Sequence, residues 1–245
     1  MPRRPRFNLP DLPQHVVQRG NNRQVTFAAE DDYNFYRECM MDAAVKYGCE
    51  IHAYVLMTNH VHMLVTPRKR DSISRMMQSI GRRYVQYVNF TYKRSGTLWE
   101  GRHKTSLVDT EQYLLLCYRY IEMNPVRARI VAHPADYPWS SYRANAEGRP
   151  DLLLHEHAKF VELGRSEDER RAVYRELFRY ELDPEVIDEI RTATNLGLVI
   201  GNDRFKEEIA DMLKRKVTPS KRGRPFKRQD NYGEAAQMTL LAENK

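Results

Sequence analysis

Residues 50–67, EIHAYVLMTNHVHMLVTP, are two runs of β-branched and apolar residues separated only by Thr58-Asn59. A two-residue gap leaves room for a tight hairpin and little else, so residues 50–57 and 60–67 are expected to pair antiparallel. The neighbouring segments then fall into a limited pattern. Residues 14–20, QHVVQRG, read as a strand stopped by Gly-Asn-Asn. Between residues 31 and 47, Tyr36, Met40, Ala43, Ala44 and Tyr47 recur at helical spacing, with Gly48 as the stop. After the hairpin, Ile73, Met76, Ile80, Tyr84, Tyr87 and Val88 form one stripe of a long helix that Asp71 or Ser72 can cap.

Residues 104–109 predict a fourth strand. Asp109, with Gln112 three residues on, reads as the N-cap of a helix from Tyr113 to Met123, which Pro125 ends. The order β-α-β-β-α-β plus one helix is an α+β, ferredoxin-like split-βαβ arrangement, an order that many activities share. It occupies residues 1–150, whose last part is a loop-rich wrap with Trp139 and Tyr142 packing back. Residues 151–216 read as a mostly helical C-terminal extension, with an amphipathic stretch over 151–180 and two helices around NLGLVIGND. Residues 217–245 read as a basic, then polar tail of disordered composition.

Charge narrows the partners. Forty Lys and Arg against 33 Asp and Glu give +7, and the excess is clustered. Between Arg68 and Lys104 the only acids are Asp71 and Glu100, and between Lys214 and Arg228 there is none. Such clusters are the footprint of a phosphate-rich partner. Cys39, Cys49 and Cys117 have no CxxC spacing, which argues against a disulfide framework or thiolate zinc site and fits a reducing cytosol. The N-terminal residues lack a signal-peptide core, and no window nears the roughly 20 apolar residues of a membrane span. A cytoplasmic protein without a membrane partner is expected.

His60 and His62, at i and i+2 of a strand, project from one face, where they could hold one metal ion or be two hydrogen-bonded polar residues. His155 and His157 repeat the spacing, but on a segment expected to be helical, where i and i+2 diverge by about 200°, so they are assigned to the surface. Downstream, Tyr120 and Asn124 are i and i+4 on one helical face, with Tyr113 near that stripe and Tyr118 pointing away. A tyrosine in an apolar helix is ordinarily core. It acquires chemistry only if the helix lies beside the histidine strand, which spacing leaves open. In that case His60, His62 and Asn124 would leave open positions on a divalent ion. Imidazole and amide oxygen without thiolate suit Mg²⁺ or Mn²⁺, with zinc also admissible, and Tyr120 could attack a phosphodiester.

The segments HVVQRGNNRQVTF, YVLMTNHVHMLVTP, GRRYVQYVNFTYKRSGTLWEGRHKTSLVD and YLLLCYRYIEMNPVRARIV…DYPWSSY resemble, in matching order, the single-tyrosine HUH transposases. The REP-associated tyrosine transposases of bacteria are the most similar branch. The resemblance runs over about residues 15–148. It implies that His60-Val61-His62 is the histidine–hydrophobic–histidine motif, that Tyr120, five residues before Pro125, is the nucleophile, and that Asn124 is the third metal ligand. It further implies cleavage and rejoining of single-stranded DNA at hairpins of repetitive extragenic palindromes. The intermediate would be a 5′-phosphotyrosine with a free 3′-OH, and no nucleotide cofactor is needed. The setting would be the bacterial cytoplasm, at the nucleoid.

Candidate DNA contacts are Arg19, Asn22 and Arg23 after the first strand, and Arg82 and Arg83 on the long helix, interleaved with Tyr84 and Tyr87. Those two tyrosines are expected in the core. Lys104 and Arg127 complete the candidates near the centre. In the tail, Arg222-Gly223-Arg224-Pro225 resembles an AT-hook core for A·T-rich duplex. Two rivals remain: a palindrome-binding protein that does not cut, and a metal hydrolase in which Tyr120 is a bystander. The chain is expected to be a monomer or homodimer, the tyrosine acting in cis or in trans.

Overall fold

The Thr58-Asn59 turn joins β2 (Cys49–Met57) to β3 (His60–Pro67), and the two pair antiparallel. The computed structural model describes residues 5–7 and 9–219. β1 (Gln14–Arg19) lies against β3, and β4 (Lys104–Val108) lies against β1, both antiparallel. The sheet order is β2-β3-β1-β4-β5, in which the first four strands make the expected ferredoxin-like sheet. β5 (Val199–Ile200) comes from the extension and adds parallel to β4, pairing Leu107 with Val199 and Val108 with Ile200. Two residues are too few for a periodic signal, so the sequence shows only a linker there. In the fold β5 covers a strand edge that would otherwise be open.

Strand alternation gives the sheet two faces. Val16, Val61, Met63 and Val65 point to one, where α1 (Glu30–Tyr47) and α2 (Ser72–Thr91) bury Tyr36, Met40, Met76, Ile80 and Tyr84. Gly48 ends α1 in the left-handed region, at φ 64°, which glycine adopts without a side-chain penalty. Tyr84 is fully buried with its hydroxyl donating to the Thr26 carbonyl, and Tyr87 stacks on Phe35, so both belong to the packing as expected. The expected side-chain cap of α2 is absent. Ser72 Oγ accepts from the Lys69 backbone, in the preceding turn, and Asp71 turns to Arg75.

On the other face, α3 (Leu114–Glu122) packs against β2 and β3 through a second core of Val55, Leu64, Val108, Cys117 and Ile121. Asp109 is not its N-cap. Its carboxylate accepts from Glu111 and Asn202, closing a turn that postpones the helix to Leu114. Pro125 does end α3 and starts the single turn α4 (Asn124–Arg127), where its missing N–H costs nothing. Trp139 stacks on Tyr33 at 4.5 Å and Tyr142 packs on Phe178, so the wrap closes over the domain.

Beyond α5 (Tyr142–Glu147), residues 151–157 are not helical. Leu154 bridges to Ile51 of β2 instead, because β2 is the outermost strand and its free edge offers backbone partners. α6 (Ala158–Val161), α7 (Glu167–Glu176), α8 (Pro184–Leu196) and α9 (Asp203–Leu213) complete the described chain. Among the described residues no helix is long and apolar enough to cross a membrane.

Candidate active site

The register of β1 on β3 sets Arg19 opposite His60, Val17 opposite His62 and His15 opposite Leu64. His15 is therefore a diagonal neighbour of His62 on the same face, within reach of a long side chain. The two rings stack with centroids 5.0 Å apart, and His15 Nε2 is 2.8 Å from His62 Nδ1. His15 Nδ1 is in turn 2.9 Å from Thr194 Oγ1 on α8. His60 and His62 have centroids 5.0 Å apart, and His60 Nδ1 donates to Asn59 Oδ1 at 2.6 Å. The Asn59 amide nitrogen donates to the Arg23 carbonyl, which fixes the orientation of the amide and ties the hairpin turn to the 21–23 loop.

α3 lies across this row. Tyr120 stands edge-on to His15 and His62, with centroids at 5.6 and 5.9 Å, and is 5% exposed. The juxtaposition that spacing left open is thus present within one chain. Arg127 spreads over the Tyr120 ring, 4.4 Å from its centroid, and donates to the Tyr120 carbonyl. Asn124 donates its amide nitrogen to the carbonyls of Tyr120 and Ile121, at 2.9 and 3.1 Å. Those bonds cap the end of α3 and leave Oδ1 outside them. Tyr113 is elsewhere, its hydroxyl donating to Glu189, because the chain at 113 has not yet entered α3.

Two residues beyond Tyr120, the carboxylate of Glu122 is fully buried. It accepts from Ser141, Asn145 and Tyr174 at 2.6, 2.8 and 2.7 Å. Burial pushes its pKa up to about 7 against the pull of those three donors. The cluster pins the tyrosine helix to α5 and α7.

Burial also keeps the histidines neutral. The His15 pKa is lowered to about 3 by desolvation and then by Arg127, and that of His60 to about 4 by desolvation and then by Arg19. His62 is pushed well down by desolvation and then by His15 and His60. Neutral imidazole is the ligating form. Among the described residues no three His, Cys, Asp or Glu side chains converge as a metal cage. His60 and His62 each have Nδ1 engaged, which leaves Nε2 as the nitrogen either could offer an ion, the arrangement that outer partners impose on metal-binding histidines. His15, with both ring nitrogens engaged, is not a ligand.

The expected DNA contacts divide. Asn22 and Arg23 are exposed on a turn with positive φ, and Arg19 and Lys104 lie on the histidine face. Lys104 donates to Asn195 of α8. Arg82 lines a groove of about 660 Å³ with Arg6, Gln18, Trp99, Arg102 and His103. Arg83 instead pairs with Asp42 of α1 at 2.8 Å. In the groove wall, Trp99 Nε1 and His103 Nε2 are buried without a partner among the described residues. Gln18 alternates with the histidine-face residues of β1, so this groove flanks the opposite face of the sheet.

His155 lies exposed in a loop rather than on a helix. His157 is half buried and caps α6, Nδ1 accepting from the Lys159 backbone. The His52 ring packs edge-on against His157, so His157 serves the packing while the His155 side chain stays at the surface as expected. Arg222 and Arg224 lie outside the described residues.

His15, Asn59, Thr194 and the groove residues Arg6, Trp99, Arg102 and His103 were not singled out from the sequence. Strand register brings in His15 and the return of α8 brings in Thr194, whereas Asn59 was the local neighbour of His60 all along.

Residues 8–124 match the family model described as "Transposase IS200 like". A solved structure of a REP-associated tyrosine transposase bound to a REP hairpin aligns with 64% of this chain and 93% of its own. The alignment has TM-score 0.53 and 18% identity. A Deinococcus radiodurans protein assigned as a transposase aligns with 53% of this chain and 92% of its own, with TM-score 0.35 and 18% identity. No curated protein matches. Residues 8–124 are therefore similar to the IS200-like transposase family.

Proposed function

We propose that this protein is a transposase that cleaves and rejoins single-stranded DNA through a covalent 5′-phosphotyrosine on Tyr120, at palindromic hairpins of the REP type. The observation that carries the reading is the Tyr120 ring set edge-on to His62 beneath the Arg127 guanidinium, all in one chain, which favours action in cis. His60 Nε2, His62 Nε2 and Asn124 Oδ1 would hold Mg²⁺ or Mn²⁺. When bound, such an ion neutralises phosphate charge and orients the scissile group.

The residues themselves divide the remaining work. Tyr120 Oη attacks phosphorus and loses its proton to solvent. The Oη–P bond forms as the P–O3′ bond breaks, and the departing 3′ oxygen takes up a proton to become the free hydroxyl. Rejoining is the reverse attack by a 3′-OH, with the phosphodiester energy kept in the link. Arg127 supplies positive charge over the Tyr120 ring as the phenol ionises, in a largely buried site where solvent screens that charge weakly. Arg19, Asn22, Arg23 and Lys104 supply contacts to the strand on the histidine face. Residues 1–150 would carry this chemistry, with 151–216 supporting it.

The test is a labelled single-stranded hairpin with its flank, incubated with the full chain and Mn²⁺ and run on a denaturing gel. A covalent adduct that Tyr120→Phe abolishes is expected. Cleavage without an adduct would make the protein a metal hydrolase, and retention without cleavage a palindrome-binding protein.

A further inference from the structure

His62 can hold a metal ion only if the lone pair of Nε2 is bare, so its proton must sit on Nδ1. The network behind it decides the matter from the far end. Thr194 Oγ1 lies 2.7 Å from the Ile190 carbonyl. A carbonyl has no proton, so the single hydroxyl proton of Thr194 must lie in that contact. Toward His15 Nδ1, 2.9 Å away, Thr194 can only accept, and His15 therefore carries its proton on Nδ1. In the neutral ring Nε2 is then an acceptor. The 2.8 Å contact between His15 Nε2 and His62 Nδ1 must accordingly be bridged by a proton from His62. His62 is left with Nε2 bare.

Each donor in the chain has one acceptor. The three residues are 0%, 5% and 5% exposed, so water does not compete for the bonds. His60 reaches the same tautomer by a separate route, since the oxygen of Asn59 can only accept from Nδ1.

We propose that Thr194, in the C-terminal extension, and His15 form a hydrogen-bond relay that holds His62 in its metal-binding tautomer. Both are positioning residues, and the inference rests on the reading of His62 as a metal ligand. Residues 179 positions apart are joined by it. The extension thereby acts on the metal site without touching the ion, as outer hydrogen-bond partners of ligating histidines do elsewhere.

The test uses the full chain with ¹⁵N-labelled histidine near pH 7.5, first without metal or DNA. Long-range ring correlations are expected to show His15 and His62 both protonated on Nδ1. Thr194→Val keeps the shape but removes the acceptor. It is expected to bring up the Nε2-protonated form of His62 and to weaken binding of Mn²⁺ alone by about 10- to 100-fold. Thr194→Ser is expected to restore both. A wild-type His62 protonated on Nε2 overturns the relay, and that measurement needs no variant to fold. Unchanged ring signals and Mn²⁺ affinity in a folded Thr194→Val protein overturn it as well. Because the ring signals are read without DNA, failure to form the Tyr120 adduct strikes the proposed reaction alone.

Discussion

The Arg127 guanidinium lies 4.4 Å from the centre of the Tyr120 ring and also donates to the backbone carbonyl of Tyr120. One cation therefore both holds the residue and lies over the ring whose oxygen would become charged. Arg127 stays protonated at neutral pH, although desolvation lowers its pKa to about 10. Arg127→Gln keeps part of the stem and removes the charge. Single-turnover adduct formation should fall by about 10²-fold, the scale for one lost donor at a developing anion. Hairpin retention should change far less. Equal losses in both would make Arg127 a binding contact only.

Asn59 bridges His60 and the Arg23 carbonyl through the two ends of its amide. Asn59→Ala should free the His60 ring and lower Mn²⁺ affinity by about tenfold or more, the lower end for loss of an outer partner. Titration calorimetry reads this directly. Thermal stability should change little, because Asn59 is half exposed on a hairpin turn.

Glu122 gives a pH signature. Its pKa rises from the ordinary 4.5 to about 7 in the fold, so between these values the native state binds more of this proton than the unfolded chain. Stability from this group is full below about pH 4.5 and is lost as pH rises through about 7. Every tenfold difference in proton affinity between the folded and unfolded states corresponds to about 1.4 kcal/mol. Urea unfolding of wild type minus Glu122→Gln should trace that loss. A difference that is flat from pH 4 to 8 would mean the carboxyl is not proton-linked to folding.

The arginines of α2 should separate in DNA binding. Arg82 lines the basic groove with Arg102, whereas Arg83 pairs with Asp42. Arg102→Ala and Arg82→Ala should each lower hairpin affinity and reduce the salt slope by about one. Arg83→Ala should leave the slope unchanged, since an exposed ion pair contributes little. Filter binding across a salt series distinguishes the two classes. A uniform response of all three would place the DNA over both sides of α2.

The hairpin, the two-helix face, the strand order and the shared face of His60 and His62 were legible in the sequence, because strand and helix periods and short turns are local properties. The same locality made Tyr120 and Asn124 neighbours on one helical face. Local rules misplaced what depends on distant partners. Asp109 met Asn202 instead of capping α3, and residues 151–157 paired with β2 instead of continuing a helix. β5 had too few residues to register. Tertiary structure alone brought α3 over the histidine row and set His15 diagonal to His62, because strand register is chosen by packing across the sheet. It also returned Thr194 to His15 across most of the chain, since α8 is held there by β5 joining the sheet edge. Residue types and spacing thus named the candidate chemistry, and long-range pairing decided which side chains surround it.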